Sequence, residues 1–296
     1  MKIKNYNTPR KVFISFLKKM KFLPPEMYIP IQYESITKQK PNLKNPETFN
    51  EKIQWYKIYY KDPVFRQLAD KYNVREYIRQ KVGEKYLNEL LGVYKTPCQI
   101  NYEQLPEKFV LKCVHGSGFN LLVKNKKDIC FKQTGSLLKK WQKKNFYNKG
   151  KEWSYKNLEP LIVAEKYLED SKNEIINDYK FFCFNGEIKF IQVDMERKVN
   201  DYRCYYDTNW EKLPFYTEKN PFYTGDVEKP SNLEDMIYVA ETLSKDIPFV
   251  RVDLYSIENK TIFGEMTFYP TNGTKAYLPL EYNKIIGNYF VLPDKI

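Results

Sequence analysis

Two stretches of this chain combine residue types that could handle a phosphorylated ligand. The first is FVLKCVHGSGFNLLV, Phe109 to Val123. Phe109, Leu111 and Cys113 alternate with Val110, Lys112 and Val114; His115-Gly116-Ser117-Gly118 interrupts the alternation, and Asn120 to Val123 resumes it. The pattern reads as a strand, a glycine turn and a second strand. Two glycines in a short turn let successive backbone N–H groups aim at one point, and Lys112 would set a positive charge beside it, which suits a phosphate. The same residues also make an ordinary hairpin with an exposed lysine. The second stretch is FVRVDLYSIENKTIFGEMTFY, Phe249 to Tyr269. It alternates on both sides of Glu258-Asn259-Lys260, which reads as a three-residue hairpin loop. Centred on Asn259, the register sets Asp253 opposite Glu265, Arg251 opposite Thr267 and Val252 opposite Met266. Val250, Val252, Leu254, Ile262, Met266 and Phe268 then share an apolar face, and Arg251, Asp253, Glu265 and Thr267 share the other. Opposed carboxylates sit about 4.5–5.5 Å apart at Cβ and repel, so truncating one is expected to raise stability when no cation lies between them. Their hard oxygens suit Mg²⁺ completed by phosphate oxygens; neutralisation by lysines is the competing explanation.

Other elements must bring these stretches together. In PNLKNPETFNEKIQWYKIYY, Pro41 to Tyr60, Thr48 precedes Glu51 by three residues, a capping-box spacing that opens a helix near Phe49. FRQLADKYNVREYIRQKVG places Leu68, Tyr72, Val74, Tyr77 and Ile78 at helical spacing up to Gly83, with Lys71 and Arg75 one turn apart on a side that reads as solvated. A lysine-rich helix is expected around Thr134 to Lys144, and LIVAEKYLED, Leu161 to Asp170, begins as a buried strand. In YKFFCFNGEIKFIQV, Asn185-Gly186 is the preferred two-residue turn of a hairpin. The segment 201–230 is aromatic, interrupted by Pro214, Pro221 and Pro230, and reads as irregular; a helix follows, capped at Ser231 or Asn232. At the start, Phe13, Phe16, Leu17 and Met20 recur at helical spacing before Pro24-Pro25, but Lys18-Lys19 cuts the apolar run and no small-residue cleavage site follows. That argues against a secretory signal or a membrane span. Such a basic amphipathic helix packs on its own domain, the expectation here, or makes peripheral contact with an anionic membrane.

Composition narrows the classes further. The chain has 296 residues, 42% hydrophobic and 17% aromatic, enough for one large domain or two to three subdomains around a cleft. A net charge of +12 invites a polyanion, whether nucleic acid, lipid headgroup, nucleotide or anionic glycan, although a lysine-rich solvated surface gives the same number. With no zinc finger, basic zipper or RRM-type motif, nucleic acid is not an expected partner. The five cysteines, Cys98, Cys113, Cys130, Cys183 and Cys204, show no metal spacing and read as reduced, buried thiols of a cytoplasmic protein. His115 is the single histidine, which leaves no room for a His-rich metal site.

Taken together, residues 40–293 resemble the ATP-grasp superfamily, and more closely the family similar to the teichuronopeptide biosynthesis protein. The motifs that carry the resemblance are ADKYNVREY, FVLKCVHGSGFN, AEKYLED, VRVDLY and GEMTFYPTNG. The resemblance implies an α+β ATP-grasp fold, with ATP held between a small lid subdomain and a larger antiparallel-sheet subdomain. Residues 1–40 would be a basic helical segment, 41–105 a mostly helical N-terminal subdomain, 106–164 the lid and 165–296 the catalytic subdomain. It assigns Lys71 and Lys112 to ATP phosphates, with His115, Gly116, Ser117 and Gly118 closing over them. Glu165, Lys166, Tyr167 and Leu168 would form the adenine hinge. Glu174 or Asp178 would hold the ribose, with Lys180 nearby. Arg251 would offset phosphate charge, and Asp253, Glu265 and Thr267 would hold Mg²⁺; Thr267 stands where the superfamily has Asn, and Asn272 is a possible substitute. The implied activity is an ADP-forming carboxylate–amine ligase acting through an acyl phosphate, with a uronic acid or amino acid and an amine as substrates in capsular or cell-wall polysaccharide synthesis. A glycosyltransferase of the same pathway is the alternative, although no D-x-D motif is present, and a non-catalytic basic binding module is a third possibility.

Overall fold

The computed structural model describes residues 20–170, 176–196, 201–218, 220 and 222–296. The helix expected from Phe13 onward lies outside them. Helix α1, Pro25–Thr37, is followed by α2, Phe49–Tyr59. The capping box opens α2 as expected: Thr48 Oγ1 accepts from the Glu51 N–H at 3.3 Å, and the Thr48 N–H donates to the Glu51 carboxylate at 3.1 Å. The next periodic stretch is two helices rather than one, α3, Val64–Ala69, and α4, Val74–Lys81. The Asp70 carboxylate accepts from the backbone N–H groups of Tyr72 (2.8 Å) and Asn73 (2.9 Å), a turn that competes with helix and leaves Lys71 at a corner.

Two sheets follow. The smaller joins β1 (Leu90–Tyr94), β2 (Phe109–Cys113), β3 (Asn120–Val123) and β4 (Ile162–Lys166) in the order β1-β4-β2-β3, with every pair antiparallel. Phe109, Leu111 and Cys113 face a core closed by Leu138 of α5, Phe131–Gln142, so Val110 and Lys112 are left on the opposite face. A short helix, α6, Tyr147–Gly150, leads back toward β4. The larger sheet runs β10-β9-β5-β6-β7, from β5 (Asp178–Phe184), β6 (Glu187–Glu196), β7 (Asp201–Tyr206), β9 (Phe249–Ile257) and β10 (Lys260–Thr267). A two-stranded ribbon of β8 (Tyr216–Thr217) and β11 (Tyr277–Leu278) adjoins it, with α7 (Leu233–Ser244) and α8 (Tyr282–Tyr289) completing the chain. Part of the segment expected to be irregular is therefore strand β7.

The expected domain limits shift, because strand pairing ignores them. β1 belongs by sequence to the expected helical subdomain 41–105, yet Val93 pairs with Val163 of β4, and the lid sheet therefore begins at Leu90. Nor do α2 and α3 form a unit of their own: Phe49 meets Phe249 edge-on at 5.1 Å, and Phe65 stacks on Phe268 at 3.9 Å, within one core shared with the larger sheet. Of the cysteines, Cys113, Cys183 and Cys204 are buried but Cys98 and Cys130 are exposed, and all five are free thiols. Among the described residues no helix is long and apolar enough to cross a membrane.

Both hairpins that matter keep the expected pairing, one of them by an unexpected route. Asn185-Gly186 turns β5 into β6 with φ of 49° and 83°. Between β9 and β10 the loop is Glu258-Asn259 alone, both at positive φ, and Lys260 already pairs with Ile257. That register alone is one residue away from the expected one. A bulge at Gly264 supplies the missing residue, after which Glu265 lies opposite Asp253 and Thr267 opposite Arg251. The bulge also corrects the apolar face: Phe263 is buried in the core, whereas Ile262 pairs with Tyr255 on the other side.

Candidate nucleotide-binding site

The cleft between the two sheets collects side chains from elements far apart in sequence. Lys71 comes from the α3–α4 corner, Lys112 from β2, Glu165 from β4, Asp178 and Lys180 from β5, Arg251 and Asp253 from β9, and Glu265 from β10. A pocket of about 190 Å³ is lined by Lys71, Lys112, Arg251, Asp253 and Glu265, with Ser117 and Gly118 at its rim. The two lysines, the flap and the facing acids are thus brought together. Gly118 has φ +76°, which favours glycine.

Every charge in the pocket has a partner. Lys71 donates to the Gly116 carbonyl at 2.7 Å and lies 3.8 Å from the Glu265 carboxylate, so it ties the flap to β10. Lys112 pairs with Glu165 at 2.6 Å, and Glu165 also lies 3.9 Å from Arg75. Arg251 grips Asp253 through two hydrogen bonds of 2.7 and 2.6 Å and reaches Glu265 at 3.6 Å. The Thr267 hydroxyl accepts from Arg251 at 3.2 Å and donates to Glu265 at 3.1 Å. It is engaged in both directions and brackets the acids. Lys180 lies against Asp178, 3.3 Å from Asp194 and 3.7 Å from Asp253.

Burial and charge pull the two facing acids apart. Burial raises the Asp253 carboxyl above its ordinary range, offset only in part by Arg251 and Lys180. At Glu265 burial also pushes upward, but Lys71, Arg251 and Lys180 together outweigh it and leave the carboxyl below its usual value. Burial works against the charge of Arg251, and the Asp253 carboxylate more than restores it.

Two expected assignments are overturned. His115 does not reach into the cleft: its Nε2 lies 3.3 Å from the Trp141 carbonyl, its ring packs near Phe119, and burial lowers its pKa, so it is a neutral structural imidazole. Gly116 keeps its place beside the cleft: its carbonyl accepts from Lys71, and an added Cβ would lie 2.7 Å from the Phe119 ring. Asn272 is equally diverted. Its Oδ1 accepts from Lys57 at 2.8 Å and its Nδ2 donates to Gln32 at 3.0 Å, inside a buried network behind α2, so it is no substitute metal ligand.

Lys166, Tyr167 and Leu168, expected to form the adenine hinge, line a second, larger cavity of about 1040 Å³ that continues from the pocket through Lys112, Asn120 and Asp178. The Lys166 N–H is spent on the Glu89 carbonyl at 3.0 Å. Of the two acids considered for the ribose, Glu174 lies outside the described residues, whereas Asp178 has one buried oxygen with no hydrogen-bond partner. Sequence reasoning missed four polar residues here: Arg75, Asn88, Asp194 and Arg203. Arg75 read as solvated, but it is 6% exposed and donates to the Asn88 carbonyl at 2.8 Å. Asp194 and Arg203 form a two-point pair of 2.5 and 2.9 Å on β6 and β7; the alternation of IQVDM around Asp194 was the available signal.

The donor set suits a hard divalent cation. Among the described residues no three His, Cys, Asp or Glu side chains group into a self-sufficient metal nest. Asp253 and Glu265 supply hard oxygen donors that would hold a Mg²⁺ completed by phosphate oxygens, Asp253 by yielding one of the two oxygens that Arg251 grips.

The sequence profile of the TupA-like ATPgrasp family matches residues 51–291. The chain belongs to the TupA-like ATP-grasp family. Its fold is accordingly ATP-grasp, α+β, with the β1–β4 sheet as lid and the larger sheet as base. Among solved structures, D-alanine–D-alanine ligase from Bacillus anthracis is 16% identical, with a TM-score of 0.42 over 68% of this chain and 57% of that one. N5-carboxyaminoimidazole synthase from Aspergillus clavatus is 12% identical, with a TM-score of 0.39 over 69% and 44%. Phosphoribosylamine–glycine ligase from Thermotoga maritima is 13% identical, with a TM-score of 0.38 over 69% and 48%. The chain spans about half the length of these structures. Among curated proteins none matches it.

Proposed function

We propose that this TupA-like ATP-grasp protein is an ATP-dependent, ADP-forming carboxylate–amine ligase. The observation that carries this reading is the single 190 Å³ pocket in which Lys71, Lys112 and Arg251 meet the Asp253–Glu265 pair beneath the 116–118 turn. Lys112 would exchange Glu165 for phosphate oxygens, and Lys71 would hold the flap down over them. Asp253 and Glu265 would hold Mg²⁺, with Thr267 fixing the Glu265 rotamer; the ion would neutralise phosphate charge and polarise the transferred group. Hinge residues Lys166 to Leu168 would flank the adenine, and Asp178 would take a ribose hydroxyl. Arg251, buried and permanently charged, would stabilise charge developing as the γ-phosphoryl group moves to a carboxylate, and an amine would then displace phosphate from the acyl phosphate. None of this needs a protein nucleophile; positioning and fixed charge supply the catalysis. The carboxylate is proposed to belong to a uronic acid or amino acid of a cell-surface polysaccharide, joined on the cytoplasmic side. ADP release with MgATP against a panel of uronic acids, amino acids and amines tests the reading. Absence of ADP formation together with no stabilisation by AMP-PNP and Mg²⁺ would reject it.

A further inference from the structure

The net charge of the chain is unevenly placed. Residues 90–166, the span of the lid, hold fifteen lysines and six acids, so +9 of the chain's +12 falls there. Two of the six acids are engaged on the inner side: Glu165 pairs with Lys112 on the cleft face at 2.6 Å, and Glu152 lies beside the buried Lys57 of α2. The other four, Glu103, Glu107, Asp128 and Glu159, are on loops and turns that also carry Lys95, Lys124 and Lys126. Helix α5 itself has no acid.

The geometry of α5 gathers the surplus on one surface. Thr134 and Leu138 are buried on its inner side. At 3.6 residues per turn, Lys132, Lys139 and Lys143 fall within about 40° of one another on the opposite side, and Lys140 flanks them. Lys127 sits in the turn just before the helix. All five are exposed, and among the described residues none of the five forms an ion pair. Lys139 and Lys143 are one turn apart, as are Lys140 and Lys144, a spacing at which like charges repel. A helix face that is merely solvated interleaves both signs; this one does not. The surface is the back of a helix about 18 Å long rather than a concavity, which suits an array of charges and not one small anion. It lies away from the cleft, because α5 covers Phe109, Leu111 and Cys113 whereas Lys112 faces the pocket. The exposed Phe131 at the helix start, stacked on Tyr102 at 4.3 Å, adds an aromatic edge of the kind that settles among lipid headgroups.

We propose that the back of the lid, through Lys127, Lys132, Lys139, Lys140 and Lys143, docks the protein on an anionic phospholipid bilayer. A bilayer presents a plane of negative charge to the five ammonium groups and an apolar layer to Phe131; an anionic polymer would match the charge but leave the aromatic edge in water. The nucleotide cleft opens from the other face of the lid sheet, so docking leaves it accessible. Each lysine held near such a surface strengthens binding about fivefold, and the attraction fades within a Debye length. The inference uses no residue of the cleft and stands apart from the ligase reading.

The test sediments the full chain with vesicles of phosphatidylcholine, or of phosphatidylcholine with about a third phosphatidylglycerol, at about 150 and about 500 mM NaCl. Binding is expected to the anionic vesicles alone, and about tenfold weaker or more at the higher salt. The triple variant K132Q/K139Q/K143Q should bind roughly 100-fold more weakly than the parent. K229Q/K245Q/K260Q, which removes the same charge from exposed lysines outside the lid, should stay within about threefold. Glutamine keeps helix propensity and relieves the repulsion along α5, so the first variant should melt no lower than the parent. A lower melting temperature would assign these lysines to packing and overturn the proposal. Equal binding to both vesicle types, a first variant that binds as the parent does, or equal losses in the two variants would each overturn it as well. So would displacement from the vesicles by double-stranded DNA or polygalacturonate at matched charge, which would make the surface a polymer site.

Discussion

Gly264 is where the geometry of the facing acids is decided, and Gly264→Ala is the most informative single change. A Cβ at this position would lie 2.9 Å from the Asp253 carbonyl oxygen and 3.1 Å from the Tyr255 ring. The first contact is with backbone, so no rotamer change relieves it. Either the bulge or the Asp253 backbone must move, and Asp253 is 2% exposed with its carboxylate gripped by Arg251. Forcing one carbon into such a site costs about 1–3 kcal/mol. At roughly 2–4 °C per kcal/mol for a large domain, the melting temperature should fall by about 2–12 °C. The more telling readout is coupled to Mg²⁺. Thermal shift with AMP-PNP, with and without MgCl₂, should show the Mg²⁺-dependent increment shrinking in the variant, because the two carboxylates no longer face each other at their native separation. A variant that melts within a degree of the parent and keeps the full Mg²⁺-dependent increment would refute the assignment of the bulge as the device that sets the acid pair.

Further outcomes follow from the same contacts. Lys112→Ala should weaken AMP-PNP binding about 10- to 100-fold by calorimetry, the loss of one charge-assisted phosphate contact, while Glu165 keeps Arg75 beside it. Asp253→Ala should destabilise the protein by about 3 kcal/mol in urea unfolding, because buried Arg251 loses its two-point partner and keeps only the longer contact to Glu265; this reverses the gain expected from two repelling carboxylates alone. His115, the single histidine, is held neutral by burial, so its folded pKa lies below the ordinary imidazole value. The unfolded chain therefore takes up a proton first, and stability should fall as pH drops below about 6.5 and level off once the folded value is passed. His115→Gln should flatten that part of a urea-midpoint profile. Glu265 has the opposite charge logic but the same sign: its lowered pKa contributes stability above the ordinary carboxylate range that is lost as pH falls through the folded value, and Glu265→Gln should remove that dependence.

The local devices were legible in the sequence because each is a contract between residues a few positions apart. Thr48 with Glu51, Asn185 with Gly186, and the alternation around Lys112 fix a helix start, a turn and a strand face without reference to anything distant. The Asp253–Glu265 pairing was legible too, although for an incomplete reason: a shorter loop and a bulge cancel, and only the apolar face, with Phe263 in place of Ile262, reveals the difference. The two lysines, the glycine turn and the acids were all recognisable by type.

What the sequence could not state is who faces whom. β1 joins the lid only because Val93 finds Val163 some seventy positions on. Arg75 is buried only because Asp70 breaks the helix and turns α4 toward Glu165. Asn272 sits within seven residues of Glu265 yet points into the network of Lys57 and Gln32, and Arg203 reaches the cleft only through the edge strand β7. Periodicity records which side of an element is apolar; the partner of a charge depends on long-range pairing and on burial. Hence residue types determined the chemistry available to this protein, and tertiary structure decided which of those residues share one site.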